Sequence, residues 1–374
     1  YMKVVAAIDS FKGSMTSMEA GNAVKKGILA AKPDAEVWLS PLADGGEGTV
    51  DALIEGLGAE KIPVTVAGPL GEKVSCYYGF LEETKTAVME MASAAGITLV
   101  TKKDPLRAST YGVGEMIADA LKRGCKNFMI GIGGSATNDG GIGMLKALGF
   151  EFFDEDGNDV GEGAAALAKI TEIRTENKNP LLSGAKFQIA CDVKNPLCGK
   201  QGATYIFGPQ KGVTEEQKEQ VDEAMRHYAD VTKESLDCDF ADCEGAGAAG
   251  GLGYAFLSYL AGELIPGVEL ILHATGLEEK MKNADVVVTG EGRLDAQTVM
   301  GKAPAGVAAL AKKYNAKVIA FAGSVAPEAK VCNRAGIDAF FPIVRGVATL
   351  EEAMKKENAM ENIAATAEQV FRLL

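Results

Sequence analysis

The chain has 374 residues, of which 47% are hydrophobic and 24% are charged. This composition is typical of folded globular proteins and excludes disorder and small disulfide-stapled scaffolds. Its 51 acidic and 38 basic residues give a formal net charge of −13, which disfavours duplex nucleic acid and anionic membranes as partners. No stretch approaches the roughly 20 apolar residues that span a bilayer, and two histidines are too few for a histidine-built metal site.

The first sixty residues predict a parallel β–α arrangement. Residues 4–8 form an apolar strand, Ser17–Ala31 form a helix with Ser17 as its N-cap and without a complete capping box, and residues 36–39 form a second strand. A glycine-rich loop over residues 43–49 and a helix over residues 50–56 follow. Strand, glycine-rich turn and helix in succession are typical of an α/β domain.

The middle of the chain has a different pattern. Residues 62–66, 73–80 and 86–91 are short strands with turns but no helices between them, which predicts an antiparallel meander. A helix over residues 113–122 and a strand over residues 128–132 come next. A mixed region with a helix near residues 214–232 then continues to about residue 284, and we interpret the whole as a second domain.

The last ninety residues return to the opening pattern. Residues 285–289 and 318–322 are fully apolar strands on either side of a helix over residues 303–313. A strand over residues 339–344 and a helical segment over residues 350–374 complete the chain. Unbroken apolar strands that alternate with helices favour a parallel sheet covered on both faces.

The predicted fold class is therefore α/β. A doubly wound, Rossmann-like parallel-sheet domain is formed by both chain ends, residues 1–62 and 284–374, and a second mixed α/β domain, residues 63–283, is inserted into it. In such an architecture we expect the ligand near the carboxyl ends of the strands, in the crevice between the domains.

Glycine-rich polar loops carry the chemistry that this sequence suggests. They cover residues 9–14, 43–49, 133–141 and 290–295, and each contains at least one acid. Backbone N–H groups in such loops bind phosphate, whereas carboxylates alone would repel it. Both together indicate phosphate held with Mg²⁺, the carboxylates binding the metal. For any single loop, an ordinary β–α turn remains the alternative.

Two lysines are positioned to neutralise phosphate oxygens. Lys12 follows the first strand in a Gly/Ser loop, and Lys302 begins a helix, where its charge opposes the helix dipole unless an anion is present. The Walker pattern GxxxxGK[ST] is excluded, because Ala296 and Ala303 stand at two of its required positions.

A dinucleotide-dependent oxidoreductase is an alternative interpretation. Residues 131–136 match GxGxxA after a strand, and Asp154 lies about twenty residues on. Residues 245–250 match GxGxxG but no strand precedes them. Against the first match, Asp139 would face a bare pyrophosphate at the start of the helix.

Asp192 directly follows the apolar residues 187–190, a position where catalytic carboxylates commonly lie in α/β enzymes. A helix or turn cap is the alternative role for it, and both stay open. Cys191 beside it is expected to pack. The seven cysteines are odd in number and form no CxxC, and Asp9 interrupts the N-terminal apolar run too early for a signal peptide, so we expect reduced thiols and a cytoplasmic protein.

Five motifs, taken in their order along the chain, resemble those of a known protein family. They read DSFKGS at residues 9–14, ADGGEGT at 43–49, GGSATNDGG at 133–141, FGPQKG at 207–212 and GEGRLDAQT at 290–298. With these motifs the chain resembles the bacterial glycerate kinases of the type I family, which are glycerate 2-kinase-like. The spacing agrees from residue 9 to about residue 304.

The resemblance implies an ATP- and Mg²⁺-dependent kinase that phosphorylates D-glycerate to a phosphoglycerate, commonly 2-phosphoglycerate. It also implies two α/β domains, one of them discontinuous. A non-catalytic phosphometabolite sensor on the same scaffold is the second functional class to be tested. The sequence does not determine which hydroxyl receives the phosphate, nor the oligomeric state.

Roles follow for individual positions, because phosphoryl transfer needs positioning and charge neutralisation more than covalent chemistry. A carboxylate must also take the proton of the attacking hydroxyl, and an arginine can hold the glycerate carboxylate bidentately. The proposed catalytic residues are Asp192, Asp295 and Lys12; the substrate-binding residues are Ser10, Arg293 and Lys302; the phosphate-binding residues are Gly45, Gly46, Gly133, Gly134, Ser135 and Thr137; and the Mg²⁺ ligands are Asp44 and Asp139.

Overall fold

The computed structural model describes residues 1–46 and 48–374. The chain forms two compact units: unit 1 comprises Tyr1–Gly58 and Val268–Leu374, and unit 2 comprises Ala59–Gly267. The boundaries after residues 62 and 283 stay a prediction. No helix within the described ranges is long and apolar enough to cross a membrane.

The elements are numbered here in chain order. In the described residues the strands are β1 (Lys3–Ile8), β2 (Glu36–Pro41), β3 (Glu60–Ala67), β4 (Lys73–Leu81), β5 (Thr86–Glu90), β6 (Asn127–Gly131), β7 (Glu151–Phe153), β8 (Glu172–Arg174), β9 (Lys186–Ala190), β10 (Glu263–Ile265), β11 (Val286–Leu294), β12 (Lys317–Val325) and β13 (Ala339–Pro342). The helices are α1 (Ser17–Ala31), α2 (Thr49–Leu57), α3 (Ala92–Ala95), α4 (Tyr111–Lys122), α5 (Ile142–Ala147), α6 (Ala164–Leu167), α7 (Ala203–Lys211), α8 (Lys218–Leu236), α9 (Ala248–Tyr259), α10 (Gly267–Ala274), α11 (Leu277–Met281), α12 (Ala303–Lys312), α13 (Val331–Arg334), α14 (Leu350–Met354) and α15 (Lys356–Phe371).

Unit 1 is built on a parallel sheet with the strand order β13-β12-β11-β1-β2. Strand β1 pairs with β11 in the register Val4 to Val286, so the two ends of the chain share one sheet. Val5 faces one buried layer and Val4 the other, because successive side chains of a strand point to opposite faces. The predicted doubly wound arrangement is confirmed.

Unit 2 contains a mixed sheet with the order β10-β9-β6-β5-β4-β3. Strands β3, β4 and β5 pair antiparallel, which confirms the meander, whereas β5, β6, β9 and β10 pair parallel. Phe128 of β6 and Phe187 of β9 are partners in the sheet register, and their rings stack with centroids 4.8 Å apart. Strands β6 and β9 are each followed by a long loop, residues 132–141 and residues 191–202, respectively.

Two local predictions were wrong. Helix α1 is capped by Thr16, which forms a complete capping box with Glu19, while the Ser17 hydroxyl donates to the Ile8 carbonyl at 2.6 Å and accepts from the Leu42 amide at 2.9 Å. The C-terminal helical segment is two helices, because Lys355 between α14 and α15 has extended backbone (ψ 129°).

Candidate functional site

A cavity of about 630 Å³ opens in unit 1 where β1, β11 and β12 end. The carboxyl ends of adjacent parallel strands meet at one sheet edge, and side chains that follow them converge there. Its lining falls into a charged wall and an apolar wall. The charged wall contains Asp9, Ser10, Lys12, Asp44, Glu291, Arg293 and Lys302.

The predicted residues Ser10, Lys12, Asp44, Arg293 and Lys302 are thus brought together in one cavity. Ser10, Lys12, Asp44 and Arg293 come from three of the glycine-rich loops, and Lys302 lies at the start of α12, far from the first two loops in the chain. Gly45 and Gly46 follow Asp44 in its loop, where the Gly46 amide donates to the Asp44 carboxylate at 2.9 Å. Glu47 of the same motif lies outside the described residues.

The cations of the charged wall form loose pairs with Glu291 and with Asp295, which lies outside the lining. Lys302 Nζ lies 3.9 Å from Glu291 Oε2 and 3.8 Å from Asp295 Oδ1, and Arg293 Nε lies 3.8 Å from Asp295 Oδ2. These distances exceed those of hydrogen bonds. Arg293 keeps 67% of its side chain exposed, so its guanidinium can contact an anionic ligand without first leaving a buried partner.

Asp9 and Glu291 are functional candidates that the sequence reasoning passed over. Burial, followed by the nearby charges of Asp44 and Glu291, raises the pKa of Asp9 to about 7, although the Ser10 amide and Lys12 act in the opposite direction. Burial raises the pKa of Glu291, and the negative charges of Asp295 and Asp44 raise it further. The Thr298 hydroxyl, which donates a hydrogen bond to Glu291 at 2.6 Å, lowers this pKa. Asp9 lies in the motif at residues 9–14, and Glu291 lies in the motif at residues 290–298. Asp9 also directly follows an apolar strand, and this position is the feature of the sequence that could have identified it as a candidate.

The second part of the lining, the apolar wall, is formed by side chains from the C-terminal segment of the chain. Its side chains come from the end of β13, from α14 and from the start of α15. Helix α14 is held in place by a capping box between Thr349 and Glu352, and Leu350 at its start is 76% exposed. The apolar lining consists of Ile343, Val344, Ala348, Leu350, Ala353, Met354 and Ala359.

Asp139 lies in unit 2, where neighbouring backbone and side-chain groups form hydrogen bonds to its carboxylate. It has no exposed surface, and its carboxylate accepts hydrogen bonds from the Thr110 amide and hydroxyl and from the amides of Gly141 and Gly143 at 2.8–3.2 Å. The oxygens of this buried carboxylate are therefore already occupied by four hydrogen bonds within the protein. These contacts argue against the predicted role as a Mg²⁺ ligand.

The loop over residues 133–141 presents backbone rather than side chains. Gly133 and Gly134 are exposed, whereas Ser135 is 7% exposed and Thr137 has no exposed surface. The burial of Thr137 in the interior of unit 2 argues against its predicted role in binding phosphate, and that role stays a prediction. The backbone at Gly133 and Gly134 can still meet a ligand.

The two aspartates predicted as the general base both accept backbone hydrogen bonds, Asp192 from the start of α10 and Asp295 within its own turn. Asp192 accepts a hydrogen bond from the Gly267 amide at 2.9 Å, which is the cap role that the sequence left open. Asp295 accepts from the Gln297 amide at 2.9 Å. Neither belongs to the cavity lining given above, whereas Asp9 does.

The dinucleotide pattern at residues 131–136 lacks its structural context. A dinucleotide fingerprint needs a helix that begins within the glycine turn. Here β6 ends at Gly131 and α5 begins only at Ile142, so no helix N-terminus lies at the turn.

Among the described residues, no group of three or more His, Cys, Asp or Glu side chains could hold a metal ion. Mg²⁺ is commonly bound by one or two carboxylates, with water and substrate phosphates completing its shell. Asp44 and Glu291 offer two carboxylates whose charges already act on each other and on Asp9. This donor set fits Mg²⁺ bound together with a phosphate.

Comparison with known proteins gives concordant matches. The family model described as the glycerate kinase family matches residues 4–374. The "Glycerate 2-kinase" of Escherichia coli K12 is 45% identical over 98% of both chains, and the "Glycerate kinase" of Bacillus subtilis strain 168 is 44% identical over 99% of this chain and 97% of its own. A crystal structure of a protein described as glycerate kinase 2 from Salmonella typhimurium LT2 superposes with a TM-score of 0.91 at 43% identity, covering 99% of this chain and 97% of that one.

Proposed function

The chain belongs to the glycerate kinase family, and from this premise we propose that it transfers the γ-phosphoryl group of ATP to D-glycerate in the presence of Mg²⁺. We propose 2-phosphoglycerate as the product, supported by the resemblance to the relative named glycerate 2-kinase. The observation that carries the proposal is the unit 1 cavity, which brings the predicted residues Ser10, Lys12, Asp44, Arg293 and Lys302 together with Asp9 and Glu291.

The two walls of the cavity suit the two parts of a nucleotide. The apolar side chains of Leu350 and Met354 offer an exposed surface for the adenine ring. Lys12 and Lys302 on the other wall provide ammonium groups for the phosphate oxygens. Lys302 also tolerates its position at the start of α12 better with an anion beside it, because its charge opposes the helix dipole.

Asp44 and Glu291 would hold Mg²⁺ in this site. When bound, the ion neutralises charge that develops on the transferring phosphoryl group. The Thr298 hydroxyl, which donates to Glu291 at 2.6 Å, orients this carboxylate, and Lys302 adds positive charge nearby.

Arg293 and Asp9 are proposed to act on glycerate. The exposed guanidinium of Arg293 can bind the substrate carboxylate through two parallel hydrogen bonds. The glycerate hydroxyl oxygen attacks the γ-phosphorus, the bond to the β-phosphate oxygen breaks, and Asp9 accepts the hydroxyl proton as ADP leaves. In the metal-free protein burial raises the pKa of Asp9 to about 7, which makes its carboxylate a better proton acceptor than an ordinary exposed one.

The first experiment is a coupled assay of ADP formation with D-glycerate, ATP and Mg²⁺, with ³¹P NMR to identify the product. Arg293→Met should raise the KM for glycerate about 10- to 100-fold, while the KM for ATP changes less, because only the substrate carboxylate loses its partner. Arg372→Met is the matched control, since Arg372 pairs with Glu368 elsewhere in unit 1. Binding of ATP or glycerate without ADP formation would favour the sensor, and a change in nicotinamide absorbance would favour the oxidoreductase.

A further inference from the structure

Unit 2 has a cavity of its own, with a volume of about 450 Å³ and a lining that lies entirely within residues 67–162. It opens beside the end of β3 and the start of α4, where Ala67 and Tyr111 contribute to the lining. Strand β3 runs in the same direction as β5, because β4 pairs antiparallel with both. The cavity therefore lies at the carboxyl edge of the unit 2 sheet, the edge at which α/β proteins commonly bind small molecules.

Close backbone contacts fix two walls of this cavity. A Cβ at Gly112, near the start of α4, would lie 1.9 Å from the carbonyl oxygen of Ala67. A Cβ at Gly163 would lie 2.2 Å from the carbonyl oxygen of Leu106, which directly precedes the lining residue Arg107. A larger residue at either glycine would push these segments apart. The cavity is thus preorganised, which lowers the entropic cost of binding.

Arg107 supplies a positive charge at this cavity. Its side chain is 75% exposed, and its Nη1 lies 3.9 Å from Asp104 Oδ2, which is too far for a hydrogen bond. A planar guanidinium can donate two parallel hydrogen bonds to a carboxylate. Arg107 can therefore bind an anionic ligand without first leaving a buried partner.

Glu162 supplies hydrogen-bond acceptors to the same cavity. One of its carboxylate oxygens accepts from Lys146 Nζ at 2.9 Å, and the other accepts from the hydroxyl of Ser109. Each of these oxygens has a further lone pair, and 40% of the side chain is exposed. The ammonium group of Lys146 also compensates the negative charge of Glu162. This carboxylate can thus accept a hydrogen bond from a hydroxyl group of a ligand.

We propose that the unit 2 cavity is a binding site for a small hydroxycarboxylate, whose carboxylate is held by Arg107 and whose hydroxyl group donates to Glu162. Pro69 and the exposed Leu70 offer apolar surface to the carbon atoms between these two groups. An inorganic anion would use Arg107 alone and would leave Glu162 facing a second negative charge, so the lining favours the organic acid. The inference does not depend on the proposed kinase reaction, whose substrate contacts lie in unit 1.

The test titrates four probes into the full-length Arg293→Met protein, a variant chosen because it weakens the glycerate site proposed in unit 1. The probes are D-glycerate, propionate, glycerol and inorganic phosphate, at constant ionic strength. Chemical shifts of the Leu70, Gly71 and Tyr111 amides in ¹H–¹⁵N spectra give the Kd at the cavity. We expect D-glycerate to shift these amides saturably. Propionate lacks the hydroxyls, glycerol lacks the carboxylate and phosphate lacks the carbon chain, so each should bind at least tenfold more weakly.

Adding Arg107→Met should raise the Kd for D-glycerate at these amides at least tenfold, because the carboxylate loses its partner. The matched control is Arg123→Met, which removes an exposed arginine paired with Asp119 at the other end of α4 and should change the Kd less than twofold. Both arginines are exposed, so neither substitution disturbs the core.

The proposal is overturned if D-glycerate does not shift these amides, if phosphate binds as tightly as D-glycerate, or if the two arginine variants give the same Kd. Formation of ADP from D-glycerate is measured separately in the wild-type protein. Its absence would refute the kinase proposal and would leave the result for the unit 2 cavity standing.

Discussion

At the scale of single residues, the role of an acid in this protein depends on its surroundings. Asp139 and Asp192 looked like catalytic or metal-binding groups, yet both accept hydrogen bonds from backbone amides. Asp9 attracted no role from its sequence position alone. Its surroundings in the cavity, among Asp44 and Glu291, make it the acid whose protonation changes near neutral pH.

Asp9→Asn should lower kcat by about 10²- to 10⁴-fold with little change in the KM for glycerate, because the amide cannot accept the hydroxyl proton. Steady-state kinetics of this variant should be compared with Asp192→Asn and Asp295→Asn. A wild-type kcat in Asp9→Asn, with a large loss in either of the others, would return the role of base to that residue.

The titration of Asp9 provides a second readout of the same prediction. In metal-free protein its pKa is raised to about 7, so the carboxyl is mostly protonated at pH 6 and ionised at pH 8. Mg²⁺ on Asp44 and Glu291 should lower this pKa, because a nearby cation favours the carboxylate. Carboxyl ¹³C NMR with and without Mg²⁺ measures the shift, and Asp44→Asn should weaken the response to Mg²⁺.

At the scale of elements, helices α1 and α15 pack closely in unit 1. A Cβ at Gly27 would lie 2.1 Å from the carbonyl oxygen of Ala364, whereas a Cβ at Gly21 would meet only Leu39, at 3.6 Å. Both glycines lie inside the same helix, α1. One is required by the contact between the helices, and the other is not.

We therefore expect opposite effects from two identical substitutions. Gly21→Ala should stabilise the protein by about 0.5–1 kcal/mol, because alanine is the better helix former. Gly27→Ala should destabilise it by about 1–3 kcal/mol, because the backbone of α15 must move. Thermal denaturation of both variants measures the difference, and an equal gain in stability in both would contradict the close packing of α1 on α15.

At the scale of the whole molecule, the two units have different connectivity. Unit 2 is one continuous segment, whereas unit 1 joins two segments through the pairing of β1 with β11. The core of unit 2, which includes Phe128 and Phe187, lies entirely within residues 59–267. The proposed inserted domain therefore carries its own core.

A fragment of residues 59–267 should accordingly unfold cooperatively on its own, because its sheet and core are complete. A fragment of residues 1–58 should not, because β1 would lack its partner strand. Circular dichroism on heating checks both. Absence of a cooperative transition in the longer fragment would show that the inserted segment depends on unit 1 for its stability.

The sequence by itself determined the α/β fold class, most of the strands and helices, and the glycine-rich polar loops to which we assign anion binding. These properties are local, since apolar periodicity and glycine-rich turns are read over a few neighbouring residues. Even the capping box that was missed is present locally, as Thr16 followed three residues later by Glu19.

Only the tertiary structure decided which of the polar residues share a cavity and which are buried. The charges of Asp44 and Glu291 raise the pKa of Asp9. They can do so because the neighbouring strands β1, β2 and β11 bring distant segments of the chain to one edge of the sheet. Lys211 and Asp139 are interior because other segments cover them. Desolvation and Coulomb interactions depend on distances in space, and spacing along the chain does not reveal those distances.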